Sequence, residues 1–151
     1  PGLVTEFLRG KRLAVAGVSR QPGQAANAVY RKLREGGYDV FALNPNAAEV
    51  EGTRCYPDLA SIAGRIDGLV IATHPRVGPA LVRQCAEKGV SYVWFHRSFG
   101  QGSVSEEAVS ECNARGIKCI VGCCPLMYCA PVDFAHRCMR WWLRRQGRVP
   151  S

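Results

Sequence analysis

One arrangement recurs along this chain: a stretch with helical periodicity ends at glycine, and a short apolar segment follows. The glycines and the segments after them are Gly36-Gly37 with Tyr38–Leu43, Gly89 with Tyr92–Phe95, and Gly116 with Ile117–Val121. Glycine just past a helix adopts the positive φ that ends it. Apolar segments without polar alternation are typical of parallel strands buried on both faces. The pattern therefore predicts a parallel sheet covered by helices.

The remaining segments extend this pattern to a doubly wound, Rossmann-like α/β fold with helices on both faces and an extra C-terminal helix. The further predicted strands are Leu13–Ala16, Thr53–Tyr56 and Gly68–Ala72. The predicted helices are Gln24–Glu35, a short one after Asp58, Val77–Lys88, one that starts at a capping box over Ser103–Glu106 and ends near Arg115, and one from Val132 to about Gln146.

Length and composition are those of a globular chain. The 151 residues are 47% hydrophobic and 21% charged, with no evident linker or low-complexity tract. We expect a single domain over 1–151, with a core at about 11–121 and a C-terminal extension over 122–151. No apolar run reaches the roughly 18 residues of a membrane span, and no export signal is evident. We therefore expect a cytoplasmic protein.

A candidate phosphate loop follows the first strand. The sequence continues from that strand with Gly17, Val18, Ser19 and Arg20, and a predicted helix follows. Loops at the carboxyl ends of parallel strands bind ligands in such folds. Glycine allows close approach, and the helix N-terminus attracts phosphate. Ser19 adds a hydroxyl group and Arg20 a charge. An ordinary strand-to-helix turn uses the same residue types, so both interpretations stay open.

The second strand ends in Asn44, Pro45 and Asn46. A site for NAD has Asp or Glu there to bind the ribose, and its first loop has glycine where this chain has Ser19 and Pro22. Amide side chains can bind a base or ribose without repelling an added phosphate. The pattern thus favours a nucleotide other than NAD, although Asn and Pro also favour a simple turn.

Several segments together resemble a known family. They are 15–19, 37–46, 50–57 and 66–71. They are similar to the stand-alone bacterial CoA-binding proteins, which share a Rossmann-like domain with the α subunit of succinyl-CoA synthetase. The similarity runs from about Lys11 to Val121. It implies binding of coenzyme A or an acyl-CoA, without catalysis by the domain itself.

The resemblance also implies roles for particular residues. The turn Gly17, Val18, Ser19 and Arg20 would hold the diphosphate, and Asn44, Pro45 and Asn46 would flank the adenosine. The loop over Thr73, His74, Pro75, Arg76 and Val77 would line the path of the pantetheine arm. Asn27, in the first predicted helix, would face the ligand crevice at the carboxyl ends of the strands. His74 departs from the apolar residue or proline expected there.

An NAD(P)-linked or acyl-transfer enzyme is the alternative. His74, His96 and His136 are dispersed along the chain. Ser98 and Asp133 could complete a triad with a histidine, but no nucleophile-elbow sequence frames the serine. The sequence therefore indicates no catalytic residues.

Eight cysteines raise the questions of disulfides and metal. Cys85 and Cys112 lie in helical patterns and Cys119 in a strand pattern, so we expect mostly reduced thiols that pack in the core. A denser run comprises Cys119, Cys123, Cys124, Cys129 and Cys138, but it lacks the paired spacing of zinc ligands. We expect no metal there. Cys123 or Cys124 would lie near the crevice, where a mixed disulfide with CoA is a hypothesis.

The C-terminal segment is basic and aromatic, in a chain of net charge +8. Its basic residues are His136, Arg137, Arg140, Arg144, Arg145 and Arg148, and its large apolar residues include Phe134, Trp141, Trp142 and Leu143. Such a helix could bind nucleic acid or a membrane surface. We expect instead that the aromatic residues pack on the domain or form a homodimer, without membrane insertion.

Overall fold

The structure is a computed structural model that describes residues 2–97, 102–128 and 134–147. Ser98, Cys129, Val132, Asp133 and Arg148, which the sequence analysis discussed, lie outside the described residues, as do the side chains of Phe134, His136 and Arg137.

Helices and strands alternate along the chain as the apolar segments predict. The elements are α1 Leu3–Leu8, β1 Arg12–Ala16, α2 Ala25–Glu35, β2 Asp39–Leu43, β3 Glu49–Val50, β4 Thr53–Tyr56, β5 Gly68–Ile71, α3 Gly78–Lys88, β6 Tyr92–His96, α4 Glu106–Ala114, β7 Lys118–Cys123 and α5 Phe134–Arg145. Short 3₁₀ turns cover Pro75–Val77 and Pro125–Met127. The predicted α/β class and the extra C-terminal helix are confirmed.

The seven strands form one sheet in the order β3-β4-β2-β1-β5-β6-β7. Neighbouring strands are parallel except β3 and β4, which form an antiparallel hairpin. At its carboxyl end β1 pairs Ala16 with Leu43 of β2 on one side and with Ile71 of β5 on the other. The chain order reverses about β1, and the carboxyl ends of the strands at such a point open the ligand crevice of these folds.

Each face of the sheet has its own buried core. On one face, Leu13 and Val15 pack with residues of α1, α2 and α5, among them Leu33 and Leu143. On the other face, Ala14 packs with residues of α3 and α4, including Val82, Cys85 and Cys112. Successive side chains of a strand point to opposite faces. The predicted arrangement of helices on both faces is therefore confirmed.

Two local predictions are wrong. The helix expected after Asp58 is a turn, in which Asp58 Oδ1 accepts a hydrogen bond from the Ser61 N–H at 2.9 Å. The cap of α4 is Ser105, whose hydroxyl oxygen accepts from the Ala108 N–H at 3.3 Å. Ser103 is buried instead, and its N–H donates to His96 O at 2.9 Å.

Two elements, α1 and β3, had no sequence prediction. In the described part of the chain, no helix combines the length and apolar character that crossing a bilayer requires.

Candidate functional site at the start of α2

Gly17 brings the loops after β1 and β5 into contact. It has a φ of +103°, and a Cβ atom at this position would lie 2.3 Å from Ala72 O. Its N–H donates to Leu43 O at 3.1 Å, which ties the same loop to the end of β2. Only glycine fits both this conformation and this close approach. The backbone at Gly17, directly after β1, therefore lies in close contact with the backbone at Ala72, directly after β5.

Asn44 links the loops after β1 and β2. Its Nδ2 donates to Val18 O at 3.0 Å, and its Oδ1 accepts from the Asn46 N–H at 2.9 Å. The second contact is an Asx turn, which asparagine favours. Pro45 and Asn46 are exposed. The side chain of Asn44 thus holds its own loop and the predicted phosphate turn in one arrangement.

Asn27 fixes the phosphate turn from the first turn of α2. Its side chain is buried, and its Oδ1 accepts from the Ser19 N–H at 3.0 Å. Its Nδ2 donates to Ser19 O at 2.7 Å and to Glu51 Oε1 at 2.8 Å. The Ser19 hydroxyl oxygen in turn accepts from the Gln21 N–H at 3.1 Å. Asn27 therefore fixes both backbone groups of Ser19, and it also lines a cleft at the start of α2.

Glu51 connects the β3–β4 hairpin to α2. Its carboxylate accepts from Asn27 and, at 2.7 Å, from Arg31 Nη1, while Arg34 Nη1 donates to its backbone oxygen at 3.1 Å. The Asn27 hydrogen bond, followed by the Arg31 hydrogen bond and charge, lowers the pKa of Glu51. Its φ of +50° belongs to the left-handed region that non-glycine residues rarely adopt. Glu51 is thus held ionised in a tight turn.

These residues border an open cleft of about 300 Å³ at the start of α2. The lining consists of Ser19, Arg20, Pro22, Asn27, Glu49, Val50, Glu51 and Gly52. Gln24, the residue that caps α2, makes no side-chain hydrogen bond to the helix. The first N–H groups of a helix have no partners within it and carry its positive dipole end. The uncapped start of α2 and the exposed Arg20 guanidinium thus favour an anion beside the cleft, while Glu49 and Glu51 add carboxylates to its lining.

The loop after β5 lies beside this cleft but does not line it. His74 Nδ1 accepts from the Arg76 N–H at 3.2 Å, so this histidine caps the 3₁₀ turn that begins at Pro75. Thr73 Oγ1 donates to His74 O at 3.3 Å. Arg76 and Val77 are exposed. This loop meets the phosphate turn through the contact between Gly17 and Ala72.

Val18 differs from its neighbours in the turn because its side chain is fully buried in the core. Of its backbone groups, the carbonyl accepts from Asn44.

The hairpin residues Glu49, Glu51 and Gly52 were missed as site residues. The sequence did contain a signal, since a Glu-Gly pair between Val50 and Thr53 suits a two-residue hairpin turn, in which both central residues need positive φ.

Cys123 and Cys124 are not accessible at the crevice. Their side chains are 0% and 1% exposed, and burial raises the pKa of the Cys123 thiol to about 12. The expectation of a reachable thiol at the mouth is therefore wrong, because the chain turns back over the sheet at Pro125–Met127 and α5 covers it through Leu143.

The remaining cysteine and histidine candidates lie in different parts of the described structure. Cys119 and Cys123 pack on opposite faces of the sheet. Among the described residues, no three His, Cys, Asp or Glu side chains are arranged to hold a metal ion. His96 ends β6, and burial lowers its pKa, which leaves the imidazole neutral at pH 7.

Comparison with known proteins adds independent information. The family model described as CoA binding domain matches residues 11–130. A Bacillus subtilis protein, the uncharacterized protein YneT, is 28% identical over 116 residues, which cover 77% of this chain and 83% of that protein. A solved structure of a hypothetical protein from Pyrococcus horikoshii is 30% identical with a TM-score of 0.75, covering 82% of this chain and 84% of that one.

A larger protein also contains a similar segment. Acetate–CoA ligase (ADP-forming) II of Archaeoglobus fulgidus is 30% identical over 82 residues, which are 53% of this chain and 12% of the ligase. The chain thus matches a small part of that ligase.

Proposed function

We propose that this chain, which belongs to the family of CoA-binding domains, binds coenzyme A or an acyl-CoA in the cleft at the start of α2. The observation that carries the proposal is the start of α2, which has no side-chain cap and faces a cleft beside the Ser19 turn. Free helix N–H groups, the Ser19 turn and the Arg20 guanidinium would receive the diphosphate.

Rigid positioning of the turn supports this role. Both backbone groups of Ser19 are held by Asn27, and Gly17 is held against the end of β5. A turn that is already fixed loses little conformational freedom when a ligand binds. In this proposal Asn27 and Gly17 are positioning residues, and Ser19 and Arg20 contact the diphosphate.

The adenosine half would lie against Asn44, Pro45 and Asn46. This rim has no carboxylate directly after β2, the position from which an acidic residue would bind the ribose of NAD. A ribose that carries a 3′-phosphate would therefore meet amide groups there. The pantetheine arm would continue along Thr73, His74, Pro75, Arg76 and Val77, which the Gly17–Ala72 contact places next to the phosphate turn.

We further propose that the domain binds this ligand without catalysing a reaction on it. The thiols of Cys123 and Cys124 are buried, and His96, at the end of β6, is neutral because burial lowers its pKa. At the cleft, the Ser19 hydroxyl pairs with the backbone of Gln21, and the Glu51 carboxylate pairs with Asn27 and Arg31 rather than with the serine.

Calorimetric titration of the Arg20→Ala variant with CoA tests the site. We expect the affinity to fall about tenfold to a hundredfold, because a hydrogen bond to a charged group contributes about 1.5–3 kcal/mol. Arg65→Ala is the matched control. Arg65 is 85% exposed and pairs with Asp67, which lies just before β5, at the amino-terminal ends of the strands and away from the cleft. Equal CoA affinity in both variants would contradict the placement of the diphosphate.

A further inference from the structure

The chain places one of its own carboxylates in the cleft at the start of α2. Glu51 lines this cleft, and its side chain is only 12% exposed. A single oxygen, Oε1, accepts from Asn27 Nδ2 at 2.8 Å and from Arg31 Nη1 at 2.7 Å. Two donors, one of them charged, therefore converge on one point, as donors do where a protein binds an anionic oxygen.

The backbone at Glu51 is unusual for a residue of this type. Of the residues that the structure describes, Glu51 alone combines a side chain with a positive φ, +50°, and Gly52 follows at +72°. A two-residue hairpin turn with positive φ at both central positions favours asparagine, aspartate or glycine. Glutamate brings no advantage to the turn itself. An outlier of this kind points to a functional role for the side chain.

The hairpin of β3 and β4 has contacts to α2 that do not involve this carboxylate. Arg34 Nη1 donates to the backbone oxygen of Glu51 at 3.1 Å. The hydroxyl groups of Tyr30 and Thr53 form a hydrogen bond at 2.9 Å. Rotation of the Glu51 side chain can therefore release the carboxylate from its donors while the hairpin stays packed on α2.

We propose that Glu51 is a built-in competitor of the ligand, and that an oxygen of the CoA diphosphate replaces its carboxylate on Arg31 and Asn27. The inference rests on the proposed function, which places the diphosphate beside the Ser19 turn. Arg31 Nη1 also donates to Pro22 O at 3.1 Å, so the guanidinium stays at the cleft when the carboxylate leaves. Arg31 is thus a further residue that contacts the diphosphate.

This competition has a consequence that a supporting role would not have. When the ligand binds, Glu51 gives up its two side-chain partners and leaves a negative charge near the diphosphate. Asn27 keeps both hydrogen bonds to Ser19, because the exchange uses only the N–H that pointed to Glu51. Glu51 therefore stabilises the fold but weakens ligand binding, whereas a residue that only supports the site would strengthen both.

Calorimetric titration of CoA into the natural chain and into Glu51→Gln tests the competition. Glutamine removes the charge and keeps the size of the side chain. We expect the CoA affinity to rise about threefold to tenfold, although the same variant is less stable in urea. Glu35→Gln is the control, because it makes the same charge change at the exposed last residue of α2, away from the cleft. It should leave the CoA affinity unchanged.

A second variant tests whether Arg31 is the donor that Glu51 occupies. Arg31→Ala should lower the CoA affinity by a similar factor, and Glu51→Gln should no longer raise it in that background. Urea unfolding establishes that each variant is folded. Glu51→Gln that binds CoA as the natural chain does or more weakly, an equal gain in Glu35→Gln, or a full gain without Arg31 would overturn the proposal and leave the proposed function standing. If neither the natural chain nor Glu51→Gln binds CoA, both fail.

Discussion

Asn27 shows how the candidate site is built at the scale of single residues. Its buried amide makes three hydrogen bonds, two to Ser19 and one to Glu51. Its place in the first turn of α2 is evident from the sequence, but its partner Glu51 lies 24 residues further along the chain. No local pattern indicates that contact. The sequence therefore identified Asn27 as a site residue and assigned it a role in ligand contact.

Replacing Asn27 with alanine should lower the free energy of unfolding by about 1–3 kcal/mol, because the half-buried backbone groups of Ser19 lose their partner and Glu51 loses one of its two side-chain partners. CoA affinity should fall as well, since the turn is no longer fixed. Urea unfolding and calorimetry measure the two effects. Asn113→Ala, an exposed position in α4, should change neither; comparable losses in both variants would argue against the role of Asn27.

Gly17 gives the sharpest steric prediction. Gly17→Ala would place Cβ 2.3 Å from Ala72 O at a φ of +103°, so we expect a loss of stability of more than about 1 kcal/mol together with loss of CoA binding. Gly23→Ala is the matched control, because a Cβ there meets no atom within 4 Å and its φ is not in the left-handed region. If the two variants have the same melting temperature and the same CoA affinity, the close contact between the loops after β1 and β5 is wrong.

The Glu51 contacts predict a dependence on pH. A carboxylate whose pKa is lower in the folded state stabilises the fold above its unfolded pKa, about 4.3 for Glu, and loses this contribution as the pH falls through the folded value. The difference in unfolding free energy between the natural chain and Glu51→Gln should be about 1 kcal/mol at pH 7 and shrink in acid. Chemical unfolding at pH 7 and pH 3 measures it.

Glu87→Gln, at an exposed position of α3, serves as the control for that comparison. It should change the free energy of unfolding little at pH 7 or at pH 3. If the difference in unfolding free energy between the natural chain and Glu51→Gln grew as the pH fell, the contacts of an ionised Glu51 with Asn27 and Arg31 would be contradicted.

At the scale of elements, strands were easier to predict than turns. The central strands are buried on both faces, so their sequences are continuously apolar and short. The segment after Asp58 was predicted as a short helix that fills the gap before the next strand; in the structure Asp58 Oδ1 instead accepts from the Ser61 N–H and closes a single turn. The hairpin of β3 and β4 was missed because a strand of two residues, Glu49–Val50, is too short to show alternation.

The described side chains of helix α5 divide between a buried face and an exposed face. Leu143 is 2% exposed, and Arg140 Nη1 donates to Met127 O at 2.9 Å. Trp141 and Trp142 are 60% and 44% exposed, and the Arg145 guanidinium lies over the Trp141 ring. Of the two expected alternatives, packing on the domain or in a homodimer, this exposure does not fit the packing of both indoles on the domain. A homodimer that covers them remains a prediction.

The two faces of α5 predict different mutational effects. Leu143→Ala should lower the unfolding free energy by about 2–5 kcal/mol, because it leaves a cavity in the core. Trp141→Ala should change it by less than about 0.5 kcal/mol in the monomer. Sedimentation velocity separates packing from association: if a homodimer uses this face, Trp141→Ala with Trp142→Ala should give monomers. Unchanged dimers would place the interface elsewhere.

At the scale of the whole molecule, the strand order determines which loops can form a site. The order about β1 brings together the loops that begin at Gly17, Asn44 and Ala72, although the first and the last begin far apart along the chain. The sequence predicted these loops from their positions after apolar strands. It could not predict that Gly17 touches Ala72, or that Cys123 and Cys124 are covered, because both depend on how distant segments pack.

The central claim is that the site binds a CoA-type nucleotide in preference to NAD. Calorimetric titration of the reduced chain with CoA, dephospho-CoA and NAD in parallel tests it most directly. We predict binding of CoA that weakens when the 3′-phosphate is removed, and weaker or no binding of NAD. Binding of NAD without binding of CoA, or no heat with any of the three ligands, would contradict the account.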